Sequence, residues 1–468
     1  MLFNSYTYIL FFLPTVLFLF FFFKNSFTKI IISFSSVLFI LQDSYYSCLL
    51  LLVSLFTNFF LSQLIIKNIY NLKKFYFYLS ILFNISILLV FKYLNFIIVN
   101  INFAFNNNYS LYNLAYPLAL SFYTIEQIAF MIDLKNNQIK KIKFIDYSFF
   151  VLFFPRLIAG PIILFKQIFP QIKNKKLNIY NAKNFYIGLV FFSIGLFKKS
   201  FISDGLNFLT TEGFDHKHGV LNFVDSWISS IAYTFQIYFD FSAYTEMALG
   251  SALMLNIKIP NNFDNPYKSR SLIEFWKRWH ITLSNFISYY LYFPLLMRFK
   301  IFNVVTSGLV LILIMFIVGI WHGASWSYAL FGLFHGVGLF INHIFRKLGY
   351  KLNSFFSWIA TFVFINSSFV IFRSTDLTVA KNIFHGMFNI NQDYYIINSE
   401  LSALSDFNGI LRYFLIFIIS MYYFIFMKKS ISLYKNFKFS SIQFILLIVI
   451  NIYSVFKLSN SSFIYFNF

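Results

Sequence analysis

Charge is what this sequence has least of. Asp, Glu, Lys and Arg together make up 11% of its 468 residues, against about 25% in ordinary soluble domains. So few charges cannot solvate a surface of this size, which excludes a water-soluble globular enzyme and turns most of the exterior toward lipid. Acids are the scarcer sign, 16 against 37 basic side chains, for a net charge of +21. In a soluble chain that excess would point to nucleic acid. With 59% hydrophobic residues and a mean hydropathy of +0.70, it fits loops enriched in Lys and Arg on the cytoplasmic face of a membrane, beside anionic lipid or a phosphate-bearing ligand, and no nucleic-acid partner is expected. Cysteine is nearly absent. Cys48 stands alone, so there is no intrachain disulfide and no Cys-based metal site, and its apolar neighbours make it a small core or lipid-facing residue. HExxH and Cys/His ligand spacings, a Walker loop, a GxGxxG motif, a nucleophile elbow and solenoid repeats are missing too. Direct nucleotide hydrolysis and a Rossmann cofactor are therefore set aside, and no metal is expected.

Long apolar runs are what the chain has instead. Residues 1–23 carry no charge, and at about 1.5 Å per residue such a run crosses a hydrocarbon core. With no basic n-region and no small-residue cleavage site, it reads as a retained first span. Stretches 44–66, 75–91, 301–321, 352–372 and 439–456 are also uncharged and each can span alone. Shorter or interrupted apolar segments lie at 30–41, 117–132, 144–165, 184–197, 227–255, 281–297, 325–344 and 413–427, some of them re-entrant or interfacial. The expectation is an all-α polytopic membrane protein, one integral-membrane domain over 1–468 with roughly eleven to thirteen membrane segments. Between 135 and 199 twelve basic residues, Arg156, Lys198 and Lys199 among them, face one acid, Asp146, which marks a cytoplasmic surface. Between 374 and 408 the signs reverse, with Asp376, Asp393, Glu400 and Asp406 against Lys381, and the stretch reads as a loop on the other side.

Polar groups at membrane depth are expensive and so are candidates for function. Gln236, Asp240 and Tyr244 recur every fourth residue and share one helical face. They form either a polar stripe lining a tunnel or a hydrogen-bond network fixing helix packing, in which Asp240 needs a donor. The segment Asn265 to His280 carries a capping box, Ser271 to Glu274, from which a helix should lead directly to His280. Its Lys268, Arg270, Lys277 and Arg278 can pair with phosphate, whereas Trp276 and Trp279 suit either the membrane interface or the site. The string GIWHGASW, 319–326, places His322 at the end of an uncharged run, between Gly319 and Gly323, which permit close backbone approach or local unwinding. His280 and His322, each beside Trp, could take a proton from an attacking hydroxyl. His216, His218, His335, His343 and His385 are weaker candidates.

The string FDFSAYTEMALGSALMLNIKIPNNFDNPYKSRSLIEFWKRWHITLSNFISYYLYFPL, 239–295, together with GIWHGASW, closely resembles the signature of the membrane-bound O-acyltransferase family. MLFNSYTYILFFLP, PLALSFYTIEQIAFMID and FFPRLIAGPI resemble its alginate O-acetyltransferase membrane-subunit branch, with a signature core over about 117–345. The resemblance implies a funnel-like O-acyltransferase of a bacterial inner membrane, carrying acetyl from a cytoplasmic donor, acetyl-CoA, to an exported or cell-wall glycan, alongside a periplasmic partner. On this resemblance His322 matches the catalytic histidine and His280 the second characteristic one, with Gln236, Asp240, Tyr244, Trp279, Trp321 and Trp326 as tunnel or support residues. Departures stand at Arg156, Leu164, Ser327 and the Leu296-Met-Arg turn. D-alanyl transfer to teichoic acid, and a transporter or flippase, are the alternatives.

Overall fold

The structure, a computed structural model, describes residues 1–23, 25–68, 71–215, 221–299 and 303–389, together with Ile418, Ser454, Phe463 and Ile464. Every regular element among these residues is helical, as lipid demands of a chain that must satisfy its own backbone polar groups. Among the described residues six helices are long and apolar enough to cross a membrane: Tyr45–Lys67, Lys73–Phe105, Ala182–Phe214, Val304–His322, Trp326–Lys347 and Ser354–Arg373. Their starts follow from local chemistry. Ser44, Asn303, Ser325 and Asn353 each accept a backbone N–H of the first turn, as N-caps do. The first of the six ends where Asn68 turns left-handed, at φ 47°.

Several expectations are corrected here. The opening run contracts to Thr7–Phe22, apolar but shorter than the six, with a π-helical turn over Thr7–Phe12. Run 144–165 breaks into Phe144–Leu152 and Phe154–Leu157, because Pro155 cannot continue a helix whose N–H it lacks. Part of the acidic stretch after residue 374 is helical: Asp376 caps Leu377–Phe388 by accepting from the N–H groups of Thr378 and Val379. Arg156, Lys198 and Lys199 are buried, not at a cytoplasmic surface; each has an acid or hydroxyl partner inside, so their charges do not mark topology. Apart from Ile418 and Ser454, runs 413–427 and 439–456 lie outside the described residues, as do Asp393, Glu400, Asp406, His216 and His218.

The chain divides into two units. The first comprises Met1–Ile194 and Tyr244–Pro260. Asn58 and Asn84 exchange amide hydrogen bonds of 3.2 and 2.7 Å within it, Gln127 donates to Ser54 at 3.1 Å, and Tyr147 donates to Gln127 at 3.0 Å. Arg156 pairs with Glu126, whose second oxygen accepts the Ile163 N–H at 2.9 Å. Both charges are buried, so they are tolerated only as a pair. Cys48 is buried in this unit as well.

The second unit comprises Gly195–Ala243 and Asn261–Ile464 and holds both histidines expected at the site. Helices Val304–His322 and Trp326–Lys347 meet along glycines. A Cβ on Gly319 would collide with the Tyr328 carbonyl and the Gly332 backbone, and one on Gly336 with the Ile312 backbone. The expected close approach at Gly319 is therefore backbone against backbone, which only glycine permits.

Candidate functional site

His280 is placed by a break in the chain. Ser271 accepts the Glu274 N–H at 3.1 Å and starts a helix, Leu272–Trp276, that stops one turn short of the histidine. Glu274 reaches back to the Arg270 N–H at 2.9 Å, one residue upstream of the amide that a capping box would use. His280 itself is left-handed, at φ 42°, and caps the next helix, Ile281–Ile287. The break is held by a clasp between two segments: Asp264 N–H donates to the Arg278 carbonyl and Ile281 N–H to the Asn262 carbonyl, both at 2.9 Å.

Asn262, which the sequence reading did not single out, decides the chemistry of His280. Its side-chain Oδ1 accepts the Thr282 backbone N–H at 3.2 Å and the Thr282 hydroxyl at 2.8 Å, and lies 3.2 Å from His280 Nδ1. A backbone N–H can only donate, so the atom facing it is the amide oxygen and Nδ1 of His280 must carry the proton. The Nε2 lone pair of a neutral His280 is then the basic one. The ring is fully buried, with Phe241 edge-on at 4.9 Å. His280 lies outside the six candidate spans, and burial pushes its pKa down to about 3.

His322 ends the helix Val304–His322 and is 5% exposed. Its ring packs against Trp321 at 5.1 Å, Phe372 at 5.5 Å and Phe331 at 6.1 Å. Phe369 links this group to the other histidine's neighbour, with Phe331 at 6.5 Å, Phe372 at 6.4 Å and Trp279 at 5.2 Å. Two buried histidines thus border one aromatic cluster. Trp276 and Trp279 are buried within it, which corrects the interfacial reading of both. Trp326 is 57% exposed at the first position of its helix.

The basic residues separate by role. Arg270 and Lys277 are exposed and Lys268 is half-buried. Arg278 holds Glu274 Oε1 through Nε and Nη2, at 3.0 and 2.7 Å, and the Asp264 carbonyl through Nη1 at 3.2 Å, so it braces the break before His280. On the helix Phe223–Met254, Gln236 donates to Asn207 at 2.9 Å. Asp240 accepts Lys199 at 2.8 Å, the Ser203 hydroxyl at 3.1 Å and the Ile464 N–H at 2.8 Å. Lys199 also pairs with Asp204 at 2.9 Å. The donor that Asp240 requires is therefore a buried lysine, hidden in sequence among basic residues counted as surface. Tyr244 belongs to the other unit, where it stacks on Phe3 at 4.8 Å. Among the described residues, no group of three His, Cys, Asp or Glu side chains could hold a metal ion.

Comparison with known proteins bears on this arrangement. The model of the membrane-bound O-acyltransferase family matches residues 30–377. The chain is 39% identical over 373 residues to the peptidoglycan O-acetyltransferase of Helicobacter pylori, covering 73% of this chain and 70% of that protein. It is 35% identical to the probable alginate O-acetylase of Pseudomonas aeruginosa, covering 66% of this chain and 60% of that one. It is 32% identical to the teichoic acid D-alanyltransferase of Streptococcus thermophilus, covering 53% and 60%.

Proposed function

The chain belongs to the membrane-bound O-acyltransferase family, and on that premise we propose that it moves acetyl from cytoplasmic acetyl-CoA across a bacterial inner membrane, onto an acceptor hydroxyl, for O-acetylation of an exported or cell-wall polysaccharide. It is a multi-pass membrane protein and an O-acyltransferase. What carries the finer reading is the pair of buried histidines, His280 and His322, on one aromatic cluster. His322 takes the proton of the attacking hydroxyl as its oxygen bonds to the thioester carbonyl carbon. The carbon–sulfur bond then breaks, and the proton passes to the departing thiolate, which leaves as the thiol. His280, with its lone pair set on Nε2, assists proton movement or orients the reacting groups. Exposed Arg270 and Lys277, with Lys268, receive the phosphates of the donor. Acetyl-CoA is consumed as a substrate, and no resident cofactor is expected. A periplasmic acetyltransferase partner completes delivery to the glycan.

The test is the acetyl-ester content of surface glycans in wild type, a deletion strain, and the deletion carrying wild-type or His322→Ala protein. Loss on deletion that only the wild-type copy restores supports the reading. Acetylation restored equally by a stably expressed His322→Ala protein overturns the role of His322. The similarity to a D-alanyltransferase favours one second reading, transfer of D-alanine to teichoic acid; it predicts loss of alanyl esters with acetyl esters unchanged.

A further inference from the structure

His335 was a minor entrant among the histidines, yet its surroundings are as specific as those of His280. It lies in the middle of the span Trp326–Lys347, fully buried. Trp276 Nε1–H donates to His335 Nδ1 at 3.2 Å. An indole N–H can only donate, so Nδ1 is the acceptor and the proton of the neutral ring sits on Nε2. His335 is therefore locked in the tautomer opposite to that of His280. Its Nε2–H has no hydrogen-bond partner among the described residues, and the walls around it are aromatic: Phe331 at 4.6 Å, Phe364 at 5.5 Å and Phe275 at 6.4 Å.

Packing alone does not account for this. A phenylalanine would fill the same volume without placing a donor at membrane depth, where an unsatisfied polar group is costly. The donor also has company. Ser327, Phe331 and His335 recur every fourth residue and share one helical face. The Ser327 hydroxyl is likewise buried without a partner among the described residues. Phe331, between them, is the ring that also touches His322, at 6.1 Å. One helix face thus presents unmet hydrogen-bonding atoms on either side of a residue in contact with the proposed base.

We propose that His335 is a substrate-binding residue whose Nε2–H donates to a carbonyl oxygen of the acyl donor's thioester-bearing arm, with Trp276 as the positioning residue that holds the tautomer. The ligand must supply an acceptor, since the locked nitrogen can only donate. Aromatic walls favour a neutral carbonyl over a charged group, whose desolvation they would not offset. Two carbonyls fit this chemistry, that of the thioester and that of an amide farther along the arm. The proposal rests on the acyl-transfer reading above.

The experiment uses the full-length protein in detergent, acetyl-CoA as donor and isolated cell-envelope glycan with the periplasmic fraction as acceptor, with thermal unfolding of every variant alongside. His335→Phe keeps an aromatic ring and removes the donor, and it also takes away the acceptor of the Trp276 Nε1–H, so its unfolding midpoint should fall somewhat; kcat/KM is expected to drop at least tenfold beyond any loss of folded protein. His335→Gln, whose amide N–H reaches a similar position, is expected to retain most of the activity. Trp276→Phe should be impaired, and the Trp276→Phe/His335→Phe pair no worse than His335→Phe alone, since Trp276 acts through His335. A loss confined to kcat assigns the bond to the thioester carbonyl, and one confined to KM to the amide. If His335→Phe does not accumulate, His335→Asn, whose amide stops short of the Nε2 position, takes its place. Wild-type kinetics in the donor-less variant, as a buried water or a packing role would give, overturns the proposal, and so does equal impairment of it and His335→Gln. Either result beside an inactive His322→Ala protein leaves the acyl-transfer reading standing, whereas an active His322→Ala protein removes its base.

Discussion

Nδ1 of His280 and the carboxamide oxygen of Asn262 lie 3.2 Å apart, and the Thr282 N–H that donates to the same oxygen decides which of the two carries the proton. Asn262→Ala withdraws one acceptor from several buried donors, each costing about 1–3 kcal/mol when left unmet. Its unfolding midpoint should fall. Its acetyl-transfer rate should drop more than tenfold beyond any loss of folded protein, because His280 is released from its tautomer. Asn262→Asp keeps the oxygen and adds a charge that favours imidazolium, so its activity should shift along the pH axis. Equal pH–rate profiles for the wild type and Asn262→Asp would remove the coupling.

Acid should destabilise the protein partly through His280. Its folded-state pKa is pushed down to about 3 by burial, while an unfolded histidine titrates near 6.5. Below pH 6.5 the unfolded chain takes up a proton that the folded chain refuses, so stability falls as pH drops from about 6.5 toward 3. The slope from this one group is on the order of 1 kcal/mol per pH unit. Unfolding midpoints of wild type and His280→Gln, compared between pH 7 and pH 5, should show a shallower decline in the variant.

Lys199 neutralises two carboxylates, Asp240 at 2.8 Å and Asp204 at 2.9 Å. Lys199→Met strands both, and loss of one member of a buried pair typically costs about 3–5 kcal/mol. The variant should vanish from membranes, and Lys199→Met/Asp240→Asn should recover part of the lost abundance. Quantitative immunoblotting of membrane fractions distinguishes these outcomes from an unchanged level, which would mean that the network contributes little.

Gly319→Val inserts side-chain atoms where Gly332 and the Tyr328 carbonyl already sit. Backbone on the facing helix cannot yield as a flexible side chain could, so a cost of about 1–3 kcal/mol or more is expected from overpacking. The profile of the variant on size-exclusion chromatography should broaden or shift to aggregate. A sharp, wild-type peak would show that the two helices can separate without penalty.

Much of the scaffold was legible because crossing a hydrocarbon core requires a long uncharged run. The helices at 45–67, 304–322 and 354–373 follow their apolar runs to within a few residues. Where length was ambiguous, the reading weakened: one run breaks at Pro155, and the helix before His280 ends at Trp276, with a left-handed His280 opening the next. Backbone conformation of that kind carries no compositional mark when the residue is histidine. Lys199 was misplaced for a different reason, since a count of basic residues cannot tell a loop charge from a buried one whose acid lies forty-one positions away. Asn262 escaped notice because its importance lies in three donors converging on one oxygen, a property of the fold. His335 appeared as an isolated histidine because its partner, Trp276, is fifty-nine residues distant.

The glycine seam has a mechanical consequence. At Gly319, Gly332 and Gly336 the helices Val304–His322 and Trp326–Lys347 touch backbone to backbone, so at those points no side chain can change rotamer to let one slide against the other. His322 is therefore mounted on a fixed post. Its other neighbour, Phe372, is carried by Ser354–Arg373 and meets the post through aromatic rings, at 4.9 Å from Phe331 and 5.0 Å from Tyr328. Rings can turn and part where backbones cannot. Rearrangement around His322 is therefore easier on the Ser354–Arg373 side, where only rings meet, than across the glycine contacts of the hairpin.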